Sequence, residues 1–567
     1  MKPKLRIAAR QAVRQTLRAG TIIANNLQMA WDLLRGDFNP LGWTSQWLGH
    51  APLDLSLKCN SSSLSLPEIP GVSVLSVSAN EQRNHTYEPP VSPGLPSSDT
   101  LRDLNFCNIT VTYTHPGWND TIHVNALLPT ENWNSRFLGI GGGGLVTGGG
   151  IFSHFMMLPF MASGFAVATT DGGHSSDPSE AMPHESSWAL TAPGTVNWPL
   201  LVDFASQALH DTATIGKAVT EAFYETPPKY SYFHGASTGG RQGHMLAQRY
   251  PQDYDGIIAL FPAINWMNFL WSSIWPKFVM DQLRVYPRPC EVDAITAAAV
   301  AACDKLDGVE DGIISKPALC DFDAHSVIGQ TIDCDGVDVA ISTAAADVVS
   351  KTWAGPRSAT GEFQWYGFNK DTHMTRPRFG PILTKCTKEG SCEGQTFAVS
   401  NVWARYWVVK DPSFDMSTIT HEQWDDLTHA CIEEYESIVG TSNPNLSAFK
   451  RRGGKMVNWH GMVDPAIPVN GSTDYYDRVL KKDPDASDYY RLFLAPGAGH
   501  CFGCGPTPPL TMDYIVDWVE KGIAPETLRA SGPDGNGVAV ERDLCMYPRV
   551  QHYVGGDATV PSSFACV

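Results

Sequence analysis

The sequence predicts an α/β sheet protein, and three observations carry that expectation. Short β-like runs recur in the first half of the chain, from "NITVTYTH", "TIHVNALLP" and "RFLGIGGGG" to "GFAVATTDGG". A helical stretch, "PLLVDFASQALHDTATIGKAVTEAFYE", separates them from the next β-like run, "KYSYFHG". The alternation resumes near the C-terminus with "GGKMVNWHGMVDPAIPV", "STDYYDRVLKK", "YYRLFLAPGAGH" and "MDYIVDWVEKGIAP". Strands that alternate with helices build α/β sheets, whose functional loops sit at the carboxyl ends of the strands.

The same texture divides the chain. Residues 1–50 form a basic arm with no acid before Asp32 and no apolar h-region, so it reads poorly as a signal peptide. An amphipathic arm, a transit-like segment and a start placed too far upstream all stay open. After a polar stretch rich in Ser, Pro and Asn (60–100), residues 51–263 carry the first part of the sheet pattern. Residues 264–450 are irregular, aromatic and cysteine-containing, and are expected to form an inserted lid; residues 451–567 resume the core.

Composition narrows the partners. With 567 residues and 43% hydrophobic content the chain can bury a large core. Its formal charge of -18 repels nucleic acid and anionic membrane surfaces. No run of 18 apolar residues suggests a transmembrane anchor, so a small neutral or weakly polar molecule is the expected partner. Thirteen cysteines and sequons at Asn60, Asn84, Asn108, Asn119, Asn445 and Asn470 fit an exported glycoprotein.

The chemistry centres on "GASTG", which fits G-x-S-x-G: its glycines permit a tight turn that lifts the oxygen of Ser237 above the sheet. A serine alone is a poor nucleophile and needs a base and an orienting carboxylate. The chain order expected for such a turn is Ser, then Asp or Glu, then His. Asp464 in "HGMVDPAIP" and His500 in "APGAGHCFG" satisfy that order. His460 and His244 are expected to be structural. Thr238 is one candidate backbone donor for an oxyanion hole, and Gly143 or Gly144 in "GIGGGGL" is the other.

The combination of "GASTGGRQG", "HGMVDPAIP", "GHC" and the closing "RDLCMYP...FACV" resembles the tannase and feruloyl esterase family, which also includes an enzyme that cleaves a terephthalate monoester. The resemblance runs from about Cys59 to Val567. It implies an α/β-hydrolase core with a large lid inserted between the serine and the aspartate. The implied activity is a serine carboxylic ester hydrolase acting on feruloyl, hydroxycinnamoyl or galloyl esters through an acyl-enzyme. An esterase or acyl-transfer enzyme of specialised metabolism is the rival within enzymology, and a catalytically silent, calcium-stabilised binding protein is the rival outside it.

Further features are implied by the same resemblance. In "CDKLDGVEDGIISKPALC", Asp304, Asp307 and Asp311 alternate with glycines, a hard-oxygen pattern that suits calcium but equally suits an acidic surface turn. The family's lid calcium loop matches it, implying side-chain ligands Asp304, Asp307 and Asp311 and carbonyl ligands Val309 and Ile313. The resemblance also implies disulfides Cys59–Cys107, Cys303–Cys320 and Cys545–Cys566, and Cys386 with Cys392 is a candidate lid staple. With an odd number of cysteines, at least one thiol stays free unless it pairs between chains.

One departure stands out. Family members usually carry a cysteine directly before the serine, bonded to the cysteine after the catalytic histidine. Here Cys501 is present and its expected partner is Ala236, so that clamp cannot form, and a less rigid mutual placement of Ser237 and His500 is expected. Cys501 is left free or paired with nearby Cys504. Of the lid aromatics Trp266, Phe269, Trp271, Trp275, Phe363, Trp365 and Tyr366, most are expected in the lid core, with one or two left to line a pocket.

Overall fold

The computed structural model describes residues 58–88, 100–387, 390–500, 504–509 and 511–567. The basic arm of residues 1–50 lies outside them. The framework is a nine-stranded mixed sheet: β1 (Ser73–Tyr87), β2 (Leu101–Thr114), β3 (Ile122–Pro129), β4 (Arg136–Ile140), β5 (Ala166–Thr170), β6 (Tyr230–Ala236), β7 (Gly256–Leu260), β8 (Lys455–Gly461) and β9 (Tyr490–Ala495). Their order is β1-β2-β3-β5-β4-β6-β7-β8-β9. The first three pair antiparallel, β3 meets β5 antiparallel, and every pairing from β5 to β9 is parallel.

Parallel strands need covering on both faces, and the strands from β6 onward alternate their side chains accordingly. Phe233, Ile257, Ala259 and Met456 point into one apolar layer, whereas Tyr232, Ile258, Leu260, Val457 and Trp459 point into the other. Helices α1 (Gly150–Ala162), α2 (Trp198–Ala205), α3 (Gln207–Tyr224) and α4 (Thr238–Arg249) follow in sequence among the strands. Helix α3 contributes Ala213, Ile215, Val219 and Phe223 to the first layer, and α1 contributes Met157, Leu158 and Met161 to the second.

The long helical stretch read from the sequence is two helices. The chain breaks at Ser206 (φ -161°, ψ -38°), which ends α2 and starts α3. Strand β1 has no counterpart among the β-like runs because it lies at the sheet edge, where most of its residues are exposed or half-buried and no apolar alternation marks it.

Between Ala263 and Lys455 the chain adds no described strand to the large sheet. It forms α5 (Trp266–Leu283), α6 (Pro289–Cys303), α7 (Thr343–Ala354) and α8 (His421–Val439) with irregular connections and two small hairpins. Its apolar core contains Trp266, Trp271, Trp275, Trp403, Trp407 and Trp424 and is continuous with Trp188, Leu201 and Phe204 from the segment leading into and through α2. The lid boundary drawn at residue 264 therefore separates residues that share one core. The sheet then resumes with β8, followed by α9 (Asn470–Lys482), β9 and α10 (Thr511–Lys521), and a C-terminal hairpin of Thr527–Pro533 with Ala539–Cys545.

Disulfides join Cys59–Cys107, Cys303–Cys320, Cys386–Cys392 and Cys545–Cys566, and also Cys290–Cys334, a pair left unassigned from the sequence. The buried Cys431 carries the free thiol among the described residues, and burial pushes it up to about 12.

Cys59–Cys107 closes a span of 48 residues onto Cys107, which is fully buried within β2. Replacing both cysteines by serine is expected to cost about 4 kcal/mol by the loop-entropy relation, read as a lower denaturant midpoint under oxidising conditions.

Candidate active site

Ser237 stands between β6 and α4 with φ 60° and ψ -119°, a conformation that L-residues rarely adopt. The flanking glycines allow it. A Cβ on Gly235 would sit 2.2 Å from the carbonyl oxygen of Gly239, and one on Gly239 would sit 2.9 Å from that of Gly142. Helix and strand approach backbone to backbone here, so the turn needs glycine on both sides of the serine.

The carboxyl ends of β8 and β9 bring the other two residues to it. His500 Nε2 lies 3.0 Å from Ser237 Oγ, and His500 Nδ1 lies 2.6 Å from Asp464 Oδ2. Asp464 is buried, and its Oδ1 accepts the N–H groups of Ala466 (2.8 Å) and Ile467 (2.9 Å). His460, expected from the sequence to be structural, places Nε2 3.2 Å from Asp464 Oδ2 and Nδ1 2.8 Å from Ser472 Oγ. His244 stays away, bonded to the Gly240 carbonyl and the Tyr490 hydroxyl. Burial alone would raise the Asp464 carboxyl, but the charge of His500 and the hydrogen bonds from His460 and His500 hold it well below the usual carboxylate range.

Beside the serine, Gly141 N–H donates to the His234 carbonyl and Gly142 N–H to Gln242 Oε1. Gly143 is bridged to Val146. Gly144 has φ +58° and its carbonyl accepts the Thr238 hydroxyl at 2.7 Å. The backbone N–H groups of Gly143, Gly144 and Thr238 have no acceptor among the described residues.

Ser237, His500, Thr238 and the glycines 141–144 line one cavity of about 330 Å³. Its walls include Phe155, Phe261, Trp266, Phe269, Phe379 and Phe397, completed by aliphatic side chains such as Val399 and Ile467. Of the lid aromatics singled out from the sequence, Trp266 and Phe269 reach it. Trp271 and Trp275 lie in the apolar core, and Phe363 is half exposed. An enclosed aromatic wall beside a serine, imidazole and carboxylate suits acyl transfer from an ester with an apolar ring.

Comparison with known proteins agrees with that chemistry. Residues 107–567 match the family model of tannase and feruloyl esterase. The chain belongs to the tannase and feruloyl esterase family. It is 39% identical to a probable feruloyl esterase of Arthroderma benhamiae, covering 91% of this chain and 95% of that one. Among solved structures, tannin acyl hydrolase from Aspergillus niger superposes with a TM-score of 0.80 at 27% identity, covering 91% of this chain and 96% of its own. Feruloyl esterase B from Aspergillus oryzae superposes with a TM-score of 0.74 at 26% identity, covering 90% of this chain and all of its own. The shared fold is an α/β-hydrolase.

In the chain's own version of the family site, the Ser237–His500 distance is closed with Ala236 in place of the usual cysteine. Cys504 is disulfide-bonded, and Cys501 lies outside the described residues. The imidazole of His500 is flanked by Phe261 (ring centroids 4.9 Å apart, edge-on) and Phe379 (5.6 Å). Sequence reasoning missed Phe155, Phe379 and Phe397, which belong to segments without a motif of their own.

The loop of Asp304, Asp307 and Asp311 folds on itself. Asp304 accepts the N–H groups of Asp311 and Gly312, Asp307 that of Val309, and Asp311 that of Ile313. Asp311 Oδ2 also accepts Arg542 Nη2 at 3.0 Å. All three carboxylates are buried, and the carbonyls of Val309 and Ile313 accept no hydrogen bond among the described residues. Carboxylate and carbonyl oxygens of this kind are the hard donors that calcium prefers.

Because the native carboxyl of Asp464 titrates below its ordinary value of about 4, it contributes stability above that pH and loses it as pH falls further. The melting-temperature difference between wild type and Asp464→Asn is expected to hold from neutral pH to about pH 4 and to begin to shrink between pH 4 and pH 3.

Proposed function

We infer that this chain hydrolyses carboxylic esters of aromatic acids through an acyl-enzyme, with Ser237 as nucleophile, His500 as base and Asp464 as its orienter. The observation that carries the reading is the hydrogen-bonded run from Ser237 Oγ through His500 to Asp464, opening into an aromatic cavity. As Ser237 Oγ attacks the ester carbonyl, its proton passes to His500 Nε2. Asp464 stays ionised, fixes the Nδ1–H tautomer and stabilises the imidazolium. The carbonyl oxygen, now negative, is met by the N–H groups of Thr238 and of Gly143 or Gly144; the Val146 N–H occupies only the Gly143 carbonyl, which leaves the N–H of either glycine open. Collapse expels the alcohol, which takes the proton from His500. Water then repeats the sequence against the acyl-enzyme and releases the acid.

Ser237→Ala is expected to lower kcat by about 10⁴-fold or more and to abolish labelling by a fluorophosphonate probe. Labelling that persists in the variant would overturn the assignment. Methyl ferulate, propyl gallate and nonaromatic esters, compared by kcat/KM, divide hydroxycinnamoyl from galloyl preference and test both against an acyl-transfer role. Preference for the nonaromatic esters would refute the aromatic reading.

Asp304, Asp307, Asp311 and the carbonyls of Val309 and Ile313 are proposed to hold a structural calcium ion. Such an ion would neutralise buried charge and tie down a loop already bracketed by Cys303–Cys320. Ile313 also reaches the catalytic side: its side chain occupies the space where a Cβ on Gly497 would lie, in the loop that leads to His500. Chelation is expected to lower the melting temperature, with restoration by calcium and bound calcium confirmed by elemental analysis. A calcium-free protein with an unchanged melting temperature would leave an acidic turn instead.

Export as a glycoprotein is part of the same proposal. Multiple disulfides fit an oxidising compartment, and the sequons at Asn60, Asn84, Asn119 and Asn445 are exposed. Asn108 is half-buried within β2 and its side chain accepts from Asn125.

A further inference from the structure

Outside the cavity lining, the turn between β2 and β3 meets α2 and α3 around a buried group of charges. The turn supplies His115 and Asp120, α2 supplies Asp203 and α3 supplies Asp211. None is more than 6% exposed, so water does little to separate three carboxylates gathered about one imidazole.

Two of the carboxylates are well provided for. Asp211 Oδ2 lies 2.9 Å from His115 Nε2 and accepts the Tyr113 hydroxyl at 3.1 Å, and its Oδ1 accepts Gln207 Nε2 at 3.0 Å. Asp120 Oδ1 accepts the Thr114 hydroxyl at 2.7 Å and the His115 N–H at 2.8 Å, which leaves Oδ2 facing His115 Nδ1 at 2.6 Å. Asp203 is different. It is fully buried, Oδ1 lies 3.8 Å from His115 Nδ1, and neither of its oxygens accepts a hydrogen bond. An unpartnered carboxylate in such a place costs several kcal/mol unless something compensates it.

The geometry names the compensation. His115, Asp120 and Asp203 each offer a ligand atom, and these atoms lie within 4.8 Å of one another. We propose that His115 Nδ1, Asp120 Oδ2 and the Asp203 carboxylate form a binding site for a divalent first-row cation of the zinc type. One imidazole nitrogen with two carboxylates is a mixed nitrogen and oxygen donor set of the kind zinc takes, whereas calcium asks for six to eight oxygens. Asp211 acts on the other nitrogen: a carboxylate on Nε2–H holds the ring so that Nδ1 faces the ion, the usual second partner of a metal-bound histidine. A dication offsets Asp120 and Asp203, and the remaining charge on Asp211 is met by its hydrogen bonds with His115, Tyr113 and Gln207.

The site would fasten a surface turn to α2. The last carbonyls of that helix, Phe204 and Ala205, accept the guanidinium of Arg241 (2.9 Å each), one turn along α4 from Ser237. The ion therefore has a structural role, and the proposal stands independently of the substrate reading.

The test uses the full-length protein in calcium buffer freed of transition metals, with zinc as the probe. Wild type is expected to bind one more zinc per chain than Asp203→Asn and to show a zinc-dependent rise in melting temperature that Asp203→Asn lacks. The neutral isostere is expected to fold, because it removes the uncompensated charge and keeps the shape. Asp211→Asn is expected to weaken zinc binding by about 10- to 100-fold without abolishing it. Equal zinc content and equal thermal shifts in wild type and Asp203→Asn would overturn the site and assign Asp203 as a neutral carboxyl donating to Asp120. A calcium-induced shift lost in Asp203→Asn, with none from zinc, would overturn the choice of metal. Should Asp203→Asn fail to fold, Asp120→Asn and His115→Gln carry the same comparison.

Discussion

The backbone at Ser237 is held where a residue with a side chain would not rest, and the site is arranged around that constraint. A conformation of this kind costs of order 1–3 kcal/mol, offset here by bonds from three directions. Ser237 N–H donates to the Leu260 carbonyl at the end of β7, and the Ser237 carbonyl accepts the N–H groups of Ala263 and Arg241, each at 3.0 Å. The turn is thus part of the sheet edge, of α4 and of the loop after β7 at once. One turn further along α4, the fully buried guanidinium of Arg241 meets the carbonyls at the end of α2, and burial lowers it to about 9. The negative end of a helix can offset a cation in this position without a carboxylate.

The missing cysteine clamp gives this arrangement a second interest. Packing and hydrogen bonding hold His500 and Asp464 without that covalent link: two phenyl rings flank the imidazole, and two backbone N–H groups with His460 fix the carboxylate. Such contacts are individually weak and act together because the surroundings are close-packed. Ala236 lies half-buried against the apolar layer that contains Leu260 and Trp459, so the position serves packing here.

What could be read from the sequence follows physical lines. Strands β4 to β9 announce themselves because burial on both faces demands apolar runs, β2 and β3 by the alternation of buried and less buried residues, while the exposed edge strand β1 shows neither. Ser237, Asp464 and His500 are legible because each follows a strand in a known order. The cavity wall is not: Phe379 and Phe397 are distant in sequence and carry no motif, and only the fold brings them beside Trp266. His460 and Asp203 fail for another reason. A histidine at a strand end and an aspartate in an amphipathic helix look like ordinary polar positions until burial and neighbours are known.

The shared tryptophan-rich core has a consequence for how members of this family can diverge. Since Trp188, Leu201 and Phe204 pack with Trp266, Trp403 and Trp407, the insertion is not a detachable cap. A chimera that swapped only residues 264–450 would cut through a packed interior and leave half of its knobs without holes. The packed unit is discontinuous: the insertion keeps its core intact only together with the segment that leads through α2. A change of side-chain volume in the one is therefore felt in the other, although they lie on opposite sides of the nucleophile in the chain.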